Sequence, residues 1–128
     1  MRASEITETT TSLKWATRNP SPKDYEIVMI DIKALMDNTN RIQKISLSAV
    51  TKADDENIIG DRVSRAKQFW LDGGEMRLSM VGYSDYSKMV DFTDGRHRLI
   101  AAYQLGERHA PVLADKDGIE EFKALVGA

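Results

Sequence analysis

Cysteine is absent from this chain of 128 residues. Its absence excludes disulfides, thiolate nucleophiles, thiol redox chemistry and cysteine-ligated zinc. Long apolar runs are missing too: the longest, Leu99 to Tyr103, has five residues, whereas a membrane-spanning helix needs about 20. The first residues contain no apolar stretch of the kind found in a secretory signal. We therefore expect a cytoplasmic protein with no membrane partner.

An excess of positive charge is also missing, because 18 Lys and Arg residues stand against 20 Asp and Glu residues, for a net charge of −2. Proteins that coat nucleic acid non-specifically normally carry a strong cationic excess. The composition argues against that class, but it allows a local cationic pocket for a single ligand. With 41% hydrophobic and 30% charged residues, the chain has the composition of one folded domain.

Composition divides the chain into an N-terminal arm and a domain. Residues 1–24 are rich in Ser and Thr and end in Asn19-Pro20-Ser21-Pro22, a sequence that favours extended backbone and marks a boundary. Leu13 and Trp15 could attach this arm, which is otherwise expected to be flexible. We predict one domain over residues 25–128.

Alternating strand and helix patterns predict an α+β domain with a mixed sheet flanked by helices. Residues 33–60 give no clear pattern. Phe69 and Trp70 are predicted to lie in the core. The predicted elements are a buried strand over Tyr25–Ile32, a helix over Asp61–Leu71 capped by Asp61, a hairpin of Arg77–Val81 and Met89–Phe92, a buried helix from Arg96–Arg98 to Gly106, a strand over Pro111–Ala114, and a final helix capped by Asp117.

The strand–turn–helix around Asp94-Gly95-Arg96-His97-Arg98 has the residues of a phosphate site. A helix start leaves backbone N–H groups unpaired and carries a partial positive charge. Glycine lets a ligand approach the backbone closely, and three basic side chains surround the same point. Because arginine is unfavourable at a helix start, an anion would explain this clustering. Solvated arginines after an ordinary Asp-Gly turn are the simpler alternative.

The segment from Asp94 to Ala102, followed by Leu105-Gly106 and Ala110-Pro111-Val112-Leu113, resembles the signature of the ParB/sulfiredoxin superfamily. That signature is Gly-x-His/Arg-Arg, a hydrophobic-Ala-Ala helix, Leu-Gly and Ile-Pro-Val. In the family this turn holds the phosphates of a nucleotide, ATP in sulfiredoxins and CTP in ParB proteins. The resemblance covers residues 94–113 by sequence and residues 25–114 by the order of elements.

The resemblance implies roles for particular residues. Gly95 would be the glycine that phosphate approaches, and His97 and Arg98 would contact the phosphates. Arg77 stands at the position of a glutamine in ParB proteins, and there it would face the nucleotide. Arg96 stands where sulfiredoxins have their catalytic cysteine and ParB proteins a glutamate. Sulfinic-acid reduction is therefore excluded, and the glutamate that would assist metal-dependent CTP hydrolysis is missing.

The function that the resemblance implies is binding of a nucleotide or of nucleic-acid phosphates, with a nucleoside triphosphate (ATP or CTP) and Mg²⁺ as cofactors and DNA as a further partner. An NTPase or DNA nuclease would use arginines to stabilise phosphoryl oxygens and His97 and Arg98 as catalytic residues. Asp94 is the best candidate for a metal ligand, and acceptance of a turn N–H is its simpler role. Small free-standing members of this family occur on phages and plasmids.

Two alternative functions remain open from the sequence, and so does the role of one helix face. A non-catalytic nucleotide-binding, DNA-binding or regulatory module would keep the cationic turn without a metal-holding acid. An ADP-ribosyltransferase would hold NAD by its diphosphate. Arg62 and Arg65, three residues apart, lie on one face of their predicted helix, where a solvated face is the simpler interpretation and contact with a phosphate the alternative.

Overall fold

A four-stranded mixed sheet forms the centre of the structure, a computed structural model that describes residues 13–40, 43 and 58–128. In chain order its elements are β1 (Trp15–Ala16), β2 (Tyr25–Asp31), α1 (Ile32–Asp37), α2 (Ile58–Leu71), β3 (Met76–Arg77), β4 (Ser79–Ser84), β5 (Met89–Asp94), α3 (Arg96–Gln104), β6 (His109–Asp115) and α4 (Ile119–Val126). The sheet order is β2-β6-β4-β5, with β4 and β6 parallel and the other pairs antiparallel. The predicted α+β class is confirmed.

β6 lies inside the sheet, and all its residues from Ala110 to Ala114 are buried. β2 pairs with it along seven residues but forms the edge. Val28 and Ile30 of β2 face the core, whereas Ile27 and Met29 are exposed. The predicted buried strand is therefore buried on one face only. An unbroken apolar run does not distinguish a central strand from an edge strand, because the neighbouring strands decide its burial.

α3 is the most deeply buried helix of the described chain. Leu99, Ile100, Ala101 and Ala102 have no exposed surface, and they belong to one core cluster with Phe122 of α4. The two small alanines let neighbouring elements approach the helix closely. The predicted buried helix and the β4–β5 hairpin are both present.

The helices differ from the predictions in three places, two of them helix starts and the third an additional helix. α2 begins at Ile58, so Asp61 lies inside the helix instead of capping it. The N-cap of α4 is Gly118, in a left-handed conformation and without a side-chain cap, so the predicted cap Asp117 lies one residue too early. α1 was not predicted. It begins after Asp31, whose carboxylate accepts the N–H of Ala34 at 2.8 Å. The remainder of the unclear stretch, residues 41–42 and 44–57, lies outside the described residues.

The second half of the N-terminal arm is attached to the domain. β1 pairs in parallel with β3, a short strand separated from β4 at Leu78. The ring of Trp15 contacts that of Trp70 edge-on, with centroids 5.0 Å apart. The indole N–H of Trp70 donates to the carbonyl of Lys14 at 2.8 Å. These contacts fix the residues of β1 beside the end of α2. Residues 1–12 lie outside the described part.

Candidate functional site

Gly95 carries the chain from β5 into α3 with a φ of 89°, in the left-handed region that favours glycine. The hydroxyl of Ser79 donates to the Gly95 carbonyl at 2.7 Å. A Cβ added at Gly95 would lie 2.7 Å from Ser79 Oγ and 2.7 Å from an Arg98 guanidinium nitrogen. Both the backbone conformation and the available space therefore require glycine here.

A β-bulge precedes this turn. Met80 pairs with Asp94 and Val81 with Phe92, so Thr93 is the extra residue on β5. Bulges re-aim the side chains that follow them. The bulge and the left-handed glycine together set the direction in which α3 begins.

The start of α3 has unpaired backbone donors. Gly95 offers no side-chain cap, and the N–H of Arg98 donates back to the Gly95 carbonyl at 3.1 Å. Within the described chain, the N–H groups of Arg96 and His97 have no acceptor. These N–H groups give the start of α3 a partial positive charge, which faces the space in front of the turn.

Three neighbouring clefts surround this helix start. The turn cleft, of about 260 Å³, lies in front of the turn and includes Arg62, Asp94, Gly95, Arg96 and His97. The α2 cleft, of about 340 Å³, includes Arg62, Arg65, Phe69, Arg77, His97 and Arg98. The sheet cavity, of about 410 Å³, includes Arg18, Arg77, Leu78, Met80, Asp94 and Arg98.

Arg98 separates the α2 cleft from the sheet cavity, and its side chain is held by the fold. The residue is only 5% exposed. Its guanidinium forms an ion pair with Asp94 at 3.1 Å and donates to the carbonyl of Leu78 at 3.2 Å. A buried guanidinium needs such partners because desolvation of a charge is costly. Arg98 thus links the first turn of α3 to the β3–β4 connection, and part of its charge is already neutralised.

Arg96 is oriented by the edge of the sheet. Its guanidinium donates to the carbonyl of Gln43 at 2.8 Å. The Gln43 side chain in turn accepts the N–H of Phe92 at 2.7 Å and donates to the Phe92 carbonyl at 3.0 Å. This amide therefore covers the open edge of β5 as a strand residue would. Arg96 lines the turn cleft with a hydrogen bond to the backbone and none to a carboxylate of the described residues.

His97 is neutral at pH 7. Its pKa is lowered to about 4, first by burial and then by the positive charges of Arg98 and Arg62, which together outweigh the opposing effect of the Asp94 carboxylate. His97 therefore adds no positive charge to the turn in the free protein. A neutral imidazole can still donate one hydrogen bond and accept another. As a general base at pH 7 it would be weak, because its pKa lies far below that pH.

The clefts also bring together arginines that are far apart in sequence. Arg62 lines the turn cleft and the α2 cleft, and Arg77 lines the α2 cleft and the sheet cavity. Arg18, which sequence reasoning missed, reaches the sheet cavity because β1 pairs with β3. In the described part, none of these three pairs with a carboxylate. From the sequence, a solvated face is the simpler interpretation of Arg62 and Arg65. The structure places both residues beside the turn, in the α2 cleft with His97 and Arg98.

A metal ion would find few ligands here. Of the described residues that line the three clefts, only Asp94 has a carboxylate, and it is paired with Arg98. No group of three His, Asp or Glu residues suited to a metal occurs among the described residues. Mg²⁺ arriving with a phosphate ligand could use Asp94 as one ligand, since that ion commonly binds through one carboxylate and phosphate oxygens.

Comparisons with protein-family models, with curated proteins and with solved structures found no match to this chain. Within residues 13–40, 43 and 58–128, no helix has the length and apolar character that a membrane crossing requires.

Proposed function

We propose that this protein binds the phosphate groups of a nucleotide in the turn cleft, at the start of α3. The observation that carries the proposal is that Arg62 and Arg96 line the same cleft as the start of α3, where the N–H groups of Arg96 and His97 have no acceptor among the described residues. Backbone donors at a helix start and guanidinium groups are the two features that proteins use most often to hold phosphate. The resemblance of residues 94–113 to the ParB/sulfiredoxin signature supports the same ligand and a fold of that type.

Binding fits the site better than hydrolysis does. The neutral His97 is a weak base, and the Asp94 carboxylate is engaged by Arg98. Neither the described turn nor its neighbours supply a second acid for the attacking water or for a metal. The non-catalytic module is therefore the form of the function that we propose, with ATP and CTP as the first ligands to test.

A nucleic-acid strand is the second candidate, because the three clefts adjoin one another. The turn cleft and the α2 cleft share Arg62 and His97, and the α2 cleft and the sheet cavity share Arg77 and Arg98. Such a track has room for more than one phosphate. If a strand is the ligand, affinity for single-stranded DNA will rise with its length and fall steeply with salt. A mononucleotide ligand predicts no gain with length.

Titration calorimetry at low salt tests the proposal with ATP, CTP and inorganic tripolyphosphate. Arg62→Ala removes one charged donor and should weaken binding about 10-fold. Arg108→Ala is the matched control, since Arg108 lies at the other end of α3 over the Tyr103 ring and should leave affinity unchanged. The proposal fails if none of the three ligands binds, or if the two variants weaken binding equally.

A further inference from the structure

Phe69 is exposed where the sequence predicts a core residue. It lies in the last turn of α2 and is 45% exposed, whereas the adjacent Trp70 is 7% exposed. Exposure of a phenylalanine forgoes the free energy that burial would provide. The two aromatic residues therefore differ in role: Trp70 packs against Trp15, and Phe69 lines the α2 cleft.

The ring of Phe69 lies against Gly74, at the end of α2. The N–H of Gly74 donates to the Phe69 carbonyl at 2.9 Å, which closes the helix. A Cβ at Gly74 would lie 2.5 Å from Cε2 and Cζ of the ring. The edge of the ring therefore occupies space that a larger residue at position 74 would need, while much of the ring faces solvent.

An aromatic ring and cationic groups line the α2 cleft together. Ala66, Phe69 and Met76 supply an apolar wall, and Arg62 and Arg77 line the same cleft. An aromatic surface among arginines suits a flat ring that is joined to phosphate, because bases stack on aromatic side chains while guanidinium groups contact the backbone. Arg62 and His97 line both this cleft and the turn cleft, so the two adjoin.

We propose that the α2 cleft holds the nucleobase of the ligand, stacked on Phe69, while the turn cleft holds the phosphates. The assignment rests on the proposed function and adds a binding site for the base, which phosphate binding alone does not locate. Stacking is tolerant of base identity, because every base has a π face. ATP and CTP should therefore bind with similar affinities.

Phe69→Leu tests the assignment, since leucine keeps an apolar side chain and removes the aromatic face. ATP affinity should fall about 5- to 100-fold, while tripolyphosphate affinity stays within twofold. Phe69→Trp should restore ATP binding. Leu71→Ala is the control, because Leu71 is exposed on the same helix end and does not line the cleft. In the wild-type protein, ATP but not tripolyphosphate should shift the NMR signals of the Phe69 ring.

The outcomes separate the two proposals. If the wild-type protein binds ATP and Phe69→Leu binds it equally well, the base is elsewhere, and the assignment of Phe69 is overturned while phosphate binding stands. An ATP affinity in the wild-type protein no greater than that for tripolyphosphate also overturns it. If neither compound binds the wild-type protein, the proposed function fails as well.

Discussion

Replacement of Gly95 by alanine should destabilise the fold strongly. The φ of 89° costs a residue with a Cβ about 1–2 kcal/mol. The new methyl group would also lie 2.7 Å from Ser79 Oγ and 3.1 Å from Ser79 Cα. The Ser79 backbone cannot move aside as the end of a flexible side chain can, and such overpacking costs about 1–3 kcal/mol. We expect Gly95→Ala to lower the free energy of unfolding by about 2–5 kcal/mol.

Gly106→Ala is the matched control for this prediction. Gly106 has a φ of 103°, and a Cβ there would meet no atom within 4 Å. It therefore incurs the backbone strain alone, about 1–2 kcal/mol, and the two variants change the unfolded chain in the same way. Equilibrium unfolding in urea, followed by tryptophan fluorescence, gives both values. Equal losses in the two variants would refute the crowding at Gly95 and the tight turn that depends on it.

Three further predictions concern the charges around the turn. The pKa of His97 is lowered from 6.5 to about 4 in the folded state, so between these pH values the unfolded chain binds one proton that the folded chain does not. The free energy of unfolding, measured in urea, should therefore fall as the pH is lowered from about 6.5 to 4 and stay constant above pH 6.5. His97→Gln should remove this slope. Asp94→Asn should lower stability by about 1–2 kcal/mol, since buried Arg98 loses its ion pair, yet bind ATP more tightly in calorimetry. Arg62→Ala should raise the His97 pKa, measured by NMR titration without ligand.

The elements that sequence predicts well are those whose pattern is local. The β4–β5 hairpin and α3 were recognised because alternation, an intervening turn and a terminal Gly106 all lie within a few residues. The burial of β2 and Phe69 was predicted wrongly because it depends on partners distant in sequence. Ile27 is exposed because it lies on the face of β2 opposite to the buried Val28 and Ile30. Helical spacing alone could not show that Gly74 makes room for the Phe69 ring at the surface.

The residues of the candidate site also fall into those that the sequence identifies and those that only the tertiary structure identifies. Asp94 to Arg98 could be found in the sequence because a single turn brings these residues together. Arg18 could not, since its place depends on the pairing of β1 with β3. Nor did the pattern show that Arg98 is buried and engaged by Asp94 and the Leu78 carbonyl. Sequence thus locates the turn, whereas the tertiary structure decides which of its charges are open to a ligand.

Positive charge gathers at this turn in the free protein. Burial is the largest cause of the lowered His97 pKa, and Arg98, Arg62 and Arg96 add to it because they disfavour a proton on that imidazole. The positive end of α3 points to the same place. A phosphate would offset this repulsion, so its binding and the stability of the fold are linked. A nucleotide at 100 times its Kd should add about 2.7 kcal/mol to the free energy of unfolding. Arg62 lines the cleft that would hold the phosphate, so Arg62→Ala should reduce the stability that the nucleotide adds.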